Sequence, residues 1–127
     1  MVYYTAREEV SGGKLCIGVA SATDILGPYT DKGSPLVTNI SEGVIDATVF
    51  TVSNTKYLVY KVDGNAHGQP CLIYAIQLSA TGTSVGGPAT LLLRNDLSWE
   101  GGIVEGPWFI KEGNYYYLFY SSCAYNN

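Results

Sequence analysis

Short apolar and aromatic runs recur along the chain, and segments rich in glycine or asparagine separate them. Fifteen glycines, eleven tyrosines and many valines and threonines favour short strands joined by tight turns over helices. Residues 54–55 and 112–114 contain the asparagine and glycine that tolerate the positive φ of hairpin turns, and residues 76–87 have the pattern of a strand ending in a turn. The pattern therefore predicts an almost all-β fold.

The same arrangement of residues recurs at a nearly constant spacing. Segments 2–7, 15–20 and 27–30 resemble segments 58–63, 70–75 and 87–90, at offsets of 56, 55 and 60 residues. A third, partial copy matches residues 46–50 and 57–60 to 105–109 and 117–120, at offsets of 59 and 60. Each copy has an acidic residue opening a strand, a tyrosine-rich strand, an apolar third strand and a Gly-Pro loop before or around a fourth.

Four short antiparallel strands per repeat form the unit of a β-propeller blade. The 127 residues hold roughly 2.2 repeats of about 58 residues, whereas propellers close with about four to eight blades. The sequence therefore predicts an incomplete β-propeller, a fragment of one domain. Residues 1–42 would form the outer strands of a first blade, 43–102 a second blade, and 103–127 the inner strands of a third.

A piece of this size would leave strand edges unpaired. We therefore expect an excerpt of a longer protein, or part of an assembly, in which the remainder of the propeller or another chain covers the open edges.

Composition narrows the classes of function. Hydrophobic residues make up 46% of the chain, which argues against wholesale disorder. A net charge of −4 with only seven Lys plus Arg argues against a nucleic acid partner. Because no apolar run approaches the roughly 20 residues that span a bilayer, we expect a soluble protein with no membrane partner. Residues 1–7 lack the basic and apolar segments of a secretion signal.

The chain contains Cys16, Cys71 and Cys123, an odd number that cannot pair completely within it. Their spacing matches no zinc-binding pattern. We expect small core thiols at these positions, because free cysteine is among the residues most often buried. The possibility of a disulfide bond to Cys123 stays open.

Asp46 and Glu105 open corresponding strands of consecutive repeats. The innermost strands of a propeller line its central channel, so their first residues meet around one mouth of it. We expect the two carboxylates to converge there. Like charges in a partly buried site resist joint ionisation, and this is how a carboxylic acid stays protonated near neutral pH. The alternative for Asp46 is a strand-end carboxylate that caps backbone donors.

The segments around these carboxylates resemble glycoside hydrolase family 43. The resemblance covers nearly the whole chain and is carried by residues 43–50, 57–65, 104–108 and 115–121, with 16–20 and 26–29 upstream. It implies a five-bladed propeller, of which this chain would supply about two blades. It also implies inverting hydrolysis of arabinose- and xylose-containing glycans, so the expected partner is a carbohydrate substrate.

The resemblance implies a role for each carboxylate. Glu105 would be the general acid that protonates the glycosidic oxygen, and Asp46 would orient Glu105 and modulate its pKa. The family's general base, an Asp opening the innermost strand of the first blade, would lie before residue 1, so we expect no appreciable activity from this chain alone. No cofactor is expected. A structural metal ion in the complete propeller would be held through residues outside this chain.

Further residues have two interpretations each. Trp99 either stacks on a sugar ring or packs between blades, and Ile45 either lines the substrate pocket or belongs to the core. Trp108 is expected to face a neighbouring sheet and His67 to lie on the surface.

Alternative functions are a non-catalytic carbohydrate-binding propeller module and a purely structural β-module. Plant polysaccharides are met outside the cell, which favours an extracellular location for the complete protein, although oligosaccharides can be cleaved inside.

Overall fold

The computed structural model describes residues 1–9, 12–38 and 40–124. Within these ranges the structure consists of strands and two short 3₁₀ turns, Gly64–His67 and Ser98–Glu100. The strands are β1 (Val2–Arg7), β2 (Leu15–Ser21), β3 (Thr30–Asp31), β4 (Val44–Val52), β5 (Thr55–Val62), β6 (Leu72–Leu78), β7 (Val85–Arg94), β8 (Val104–Glu112) and β9 (Tyr115–Ser122). The predicted all-β fold is confirmed.

The strands form three antiparallel sheets that follow one another along the chain. The first sheet has the order β1-β2-β3, the second β4-β5-β6-β7, and the third is the hairpin β8-β9. Among the described residues, the second sheet alone is a complete four-stranded meander, the repeating unit of a propeller blade. The prediction of an incomplete β-propeller is confirmed. The predicted boundaries at residues 42/43 and 102/103 fall between sheets, and their assignment to blades of a complete ring stays a prediction.

Tight turns connect the first two strands of the second and third sheets. The turn after β4 uses residues 53–54, with φ of 55° at Ser53, and the turn after β8 uses residues 113–114, with φ of 58° at Gly113. The turn predicted at residues 54–55 is one residue late, because Thr55 already pairs with Val52 in the ladder.

Strand β5 of the second sheet is buried on both of its faces. Alternate side chains of β5 point to opposite sides, so Leu58 and Tyr60 join the core shared with the first sheet and Val59 joins the core shared with the third. Strand β4 contacts β1 and β2 on one side and β8 on the other. It therefore lies at the junction of all three sheets.

The first residues of β4 and β8 are fully buried. Val44 and Val104, the first residues of these strands, are both 0% exposed. Because each anchors its strand in a core, the residues that follow it are held in place. The cysteines are free: Cys16 and Cys71 are buried as predicted, whereas Cys123 is exposed, so the prediction of a core thiol there is wrong.

Candidate active site

A β-bulge interrupts the inner hairpin of both the second and the third sheet just after the strand opening. The pairing register shifts between Ile45 and Thr48 in β4, and between Glu105 and Trp108 in β8. Within each bulge one residue takes a left-handed backbone conformation, Asp46 with φ of 56° and Gly106 with φ of 61°. A bulge redirects side chains near the end of a ladder and is common beside active sites.

The bulges correct the predicted correspondence between the two carboxylates. Asp46 matches Gly106 in backbone conformation, and Ile45 matches Glu105 as the last paired residue before the shift. The repeat is therefore offset by 60 residues at this point, not 59. The prediction aligned acidic residue with acidic residue, whereas the ladder register is set by turns that are themselves 60 residues apart.

Asp46 nevertheless bonds to the strand that carries Glu105. The Gly106 N–H donates a hydrogen bond of 2.9 Å to Oδ2 of Asp46, so the Asp46 carboxylate is fixed beside the residue that follows Glu105. This bond joins the second sheet to the third at their strand openings. The hydrogen bond of the Asp46 side chain is thus to the backbone of β8, the strand that carries Glu105.

The Glu105 side chain is one-third exposed. Its Oε2 accepts a hydrogen bond of 3.1 Å from Nζ of Lys61, whose side chain crosses from β5 of the second sheet. Within the described part of the chain, Oε1 of Glu105 has no hydrogen-bond partner. One oxygen of this carboxylate is thus held by the protein while the other is available to a ligand.

Lys61 is a member of the site that the sequence analysis missed. It is only 1% exposed, and its Nζ also lies 2.9 Å from Oδ1 of Asp63. Burial lowers the pKa of Lys61, but the hydrogen bonds to Asp63 and Glu105 outweigh burial and raise it on balance. The available signal was a lysine inside an apolar strand, since Lys is almost never fully buried unless it is paired.

Trp99 and Ile45 differ in accessibility. The Trp99 indole is 59% exposed, and its ring centre lies 6.0 Å from that of Tyr120, with the planes inclined by 33°. Ile45 is half-buried and pairs with Lys61 in the ladder. Both stay predictions as substrate contacts. Trp108 is 61% exposed in this chain, and its expected place against a neighbouring sheet stays a prediction.

The loop that precedes Glu105 is held by a buried carboxylate next to Trp99. Glu100 is 0% exposed, and its two oxygens accept hydrogen bonds of 2.9 Å from the Leu97 N–H and the Tyr120 hydroxyl. Its backbone oxygen accepts further bonds from the Ile103 and Cys123 N–H groups. Burial and the bond to Glu100 raise the pKa of Tyr120. Glu100 therefore ties the Trp99 loop to β9.

Within residues 1–9, 12–38 and 40–124, no group of three or more His, Cys, Asp and Glu side chains has a metal-binding arrangement. His67 is exposed, as predicted for a surface residue. In the same ranges, no helix has the length and apolar character needed to cross a membrane.

Comparison with known proteins shows the family of this chain. The model of the family described as glycosyl hydrolases family 43 matches residues 1–127. The chain belongs to glycosyl hydrolase family 43. Over 107 residues it is 32% identical to alpha-L-arabinofuranosidase 43 of Humicola insolens, a match covering 81% of this chain and 22% of that protein.

Two solved structures share the fold. The crystal structure of a thermostable family-43 glycoside hydrolase matches 97% of this chain with a TM-score of 0.83 and 29% identity. An endo-1,4-beta-xylanase from Bacteroides thetaiotaomicron matches 98% of it with a TM-score of 0.72 and 27% identity. The chain spans 42% and 41% of those two structures. It thus corresponds to less than half of either of these two chains of known structure.

Proposed function

We propose that this chain contributes part of the active site of a glycoside hydrolase that cleaves arabinofuranosyl or xylosyl linkages with inversion. The observation that carries the proposal is the contact between Asp46 and the Gly106 N–H, which brings an acidic residue of one sheet beside Glu105 of the next. Inverting glycoside hydrolysis requires a carboxylic acid that protonates the glycosidic oxygen and a second carboxylate that acts as base, and Glu105 is assigned the first of these roles. The arabinofuranosidase and xylanase relatives support this choice of sugars.

In the proposed reaction Glu105 is the general acid. Its free oxygen, Oε1, delivers a proton to the glycosidic oxygen as the bond from that oxygen to the anomeric carbon breaks. A water attacks the anomeric carbon from the opposite face and gives its proton to a general base. In inverting enzymes the two carboxyl groups stand about 6.5–9.5 Å apart, which leaves room for that water.

Asp46 is assigned a supporting role. Its carboxylate is bound to the backbone next to Glu105, so it fixes the direction in which the start of β8 runs. Its negative charge near Glu105 also favours the protonated form of a neighbouring acid. Asp46 therefore orients Glu105 and modulates its acidity without contacting the leaving group.

The activity is proposed for the full-length protein, meaning the complete polypeptide that contains these residues. Neither Asp46 nor Glu105 takes the role of the base in this scheme, and the relatives are more than twice as long as the chain. The chain by itself is accordingly expected to show no appreciable turnover.

Hydrolysis of an aryl arabinofuranoside or xyloside by the full-length protein tests this proposal. Because a general acid contributes about 10²–10⁴-fold to the rate, Glu105→Ala should lower kcat/KM by that factor. Glu112→Ala removes an exposed glutamate at the far end of the same strand and should leave kcat/KM unchanged. Wild-type turnover that survives Glu105→Ala would refute the assignment. Sugar binding by the intact wild type with no turnover would favour the carbohydrate-binding module instead.

A further inference from the structure

One buried ammonium group is shared between two carboxylates that belong to different parts of the fold. Lys61 Nζ lies 2.9 Å from Oδ1 of Asp63 and 3.1 Å from Oε2 of Glu105. Lysine has three N–H donors, so both bonds can form at once. Since Lys61 is 1% exposed, its charge is largely desolvated and depends on these partners.

The three groups do not balance in charge while both carboxylates are ionised. One cation and two anions then carry a net charge of −1, whereas protonation of one carboxylate makes the cluster neutral. The Asp63 side chain is the more buried of the two, at 13% exposed against 33% for Glu105, and it makes the shorter contact. Asp63 is therefore the natural permanent partner of Lys61, and Glu105 is the carboxylate placed to gain and lose the proton.

We propose that Lys61 is a positioning residue that holds Glu105, and that Asp63 neutralises Lys61 so that Glu105 can carry the proton it donates. This inference rests on the proposed function and adds two residues to it. Without Asp63, the full charge of Lys61 would act on Glu105 alone and favour its ionised form. Without Lys61, Glu105 would lose its anchor and stand near an unbalanced Asp63 carboxylate.

Other titratable groups lie on β8 and on the elements that pack against it. They are Asp46 on β4, Lys56, Tyr57 and Tyr60 on β5, Tyr74 on β6, Cys71 just before β6, and Tyr115, Tyr116, Tyr117 and Tyr120 on β9; β8 itself carries Lys111 and Glu112. Among the described residues, Lys61 is the one whose side chain is bonded to the Glu105 carboxylate. Asp46 is bound to the adjacent N–H.

The pH dependence of kcat/KM in the full-length protein tests the inference, because its alkaline limb reports loss of the proton from the general acid. Asp63→Asn should move that limb to lower pH by about one unit, since an unopposed cation favours a carboxylate. Lys61→Met should move it to higher pH and also lower kcat by about 10- to 100-fold, because the acid is no longer held in place. A merely structural role would not produce shifts of opposite sign.

Lys111→Met and Glu112→Gln are matched controls that remove exposed charges from the far end of β8 and should leave the limb in place. Unmoved limbs in the site variants, or shifts of the same sign, would overturn the inference. Circular dichroism checks folding, and if Lys61→Met does not fold, the Asp63→Asn profile decides alone. Glu105→Ala, assayed in parallel, separates the two levels: if it retains turnover, the proposed function has failed and the inference fails with it. If it abolishes turnover while the limbs stay fixed, only the inference is lost.

Discussion

Asp46 holds a backbone conformation that few residues other than glycine adopt. Its φ of 56° costs an ordinary L-residue roughly 1–2 kcal/mol, although Asp and Asn tolerate it better because their short polar side chains bond locally. Here the carboxylate accepts the Gly106 N–H at 2.9 Å, which offsets part of that cost. The conformation and the contact between sheets are therefore linked in one residue.

Two substitutions separate the backbone and charge contributions of Asp46. Asp46→Ala should lower the free energy of unfolding by about 1–2 kcal/mol, because it loses both the hydrogen bond and the tolerance of positive φ. Asp46→Asn keeps an acceptor oxygen and should stay within about 0.5 kcal/mol of the wild type. Both should lower kcat, since both remove the charge. Chemical denaturation and aryl glycoside hydrolysis of the full-length protein measure the two effects, and equal destabilisation by Ala and Asn would contradict this account.

The sequence was enough to identify the carboxylates Asp46 and Glu105 as site residues. It was not enough to identify Lys61, the cation that bonds to Glu105. Glu105 stands between Val104 and Gly106, where a charged residue is conspicuous among apolar neighbours. Lys61 stands in an equally apolar strand, but its partners lie in the next sheet and beyond the end of its own strand. No local pattern specifies which carboxylate a buried lysine will reach, so its role depended on the three-dimensional arrangement.

Single elements of the fold were easier to predict than their register. Apolar runs and turn residues located the hairpins β4-β5 and β8-β9, since these hairpins are specified locally by alternation and turn chemistry. The one-residue error at Asp46 arose because the two acidic residues were aligned with each other, whereas the hairpin turns that set the register lie 60 residues apart and both hairpins carry the same bulge. The matching bulges place Asp46 opposite Gly106 in the repeat and let the two residues bond.

The segment between β7 and β8 depends on one buried side chain. Glu100→Ala should lower the free energy of unfolding by about 2–5 kcal/mol, because the Leu97 N–H and the Tyr120 hydroxyl would both lose their acceptor. Glu112→Ala, at an exposed position, should change it by less than about 0.5 kcal/mol. Denaturant unfolding of the full-length variants makes the comparison. Similar stabilities for the two variants would mean that Glu100 does not anchor the loop.

Across the whole molecule, the candidate site depends on how adjacent sheets meet. Val44 and Val104 seat the openings of β4 and β8 in two separate cores, and the second sheet contributes to both. Asp46 then reaches the third sheet through the Gly106 backbone, and Lys61 reaches it through Glu105. The repeat was enough to predict that neighbouring strand openings converge, but these bonds between sheets could not be predicted from it.

The leaving-group dependence of Glu105→Ala in the full-length protein tests the central claim most directly, namely that Glu105 protonates the departing oxygen. A phenyl glycoside needs that proton, so the substitution should cost it about 10²–10⁴-fold in kcat/KM. The leaving group of a 2,4-dinitrophenyl glycoside of the same sugar departs without protonation, so kcat/KM for that substrate should fall far less. Equal losses on the two substrates would contradict the account, because a residue that acts only in binding or folding does not distinguish leaving groups.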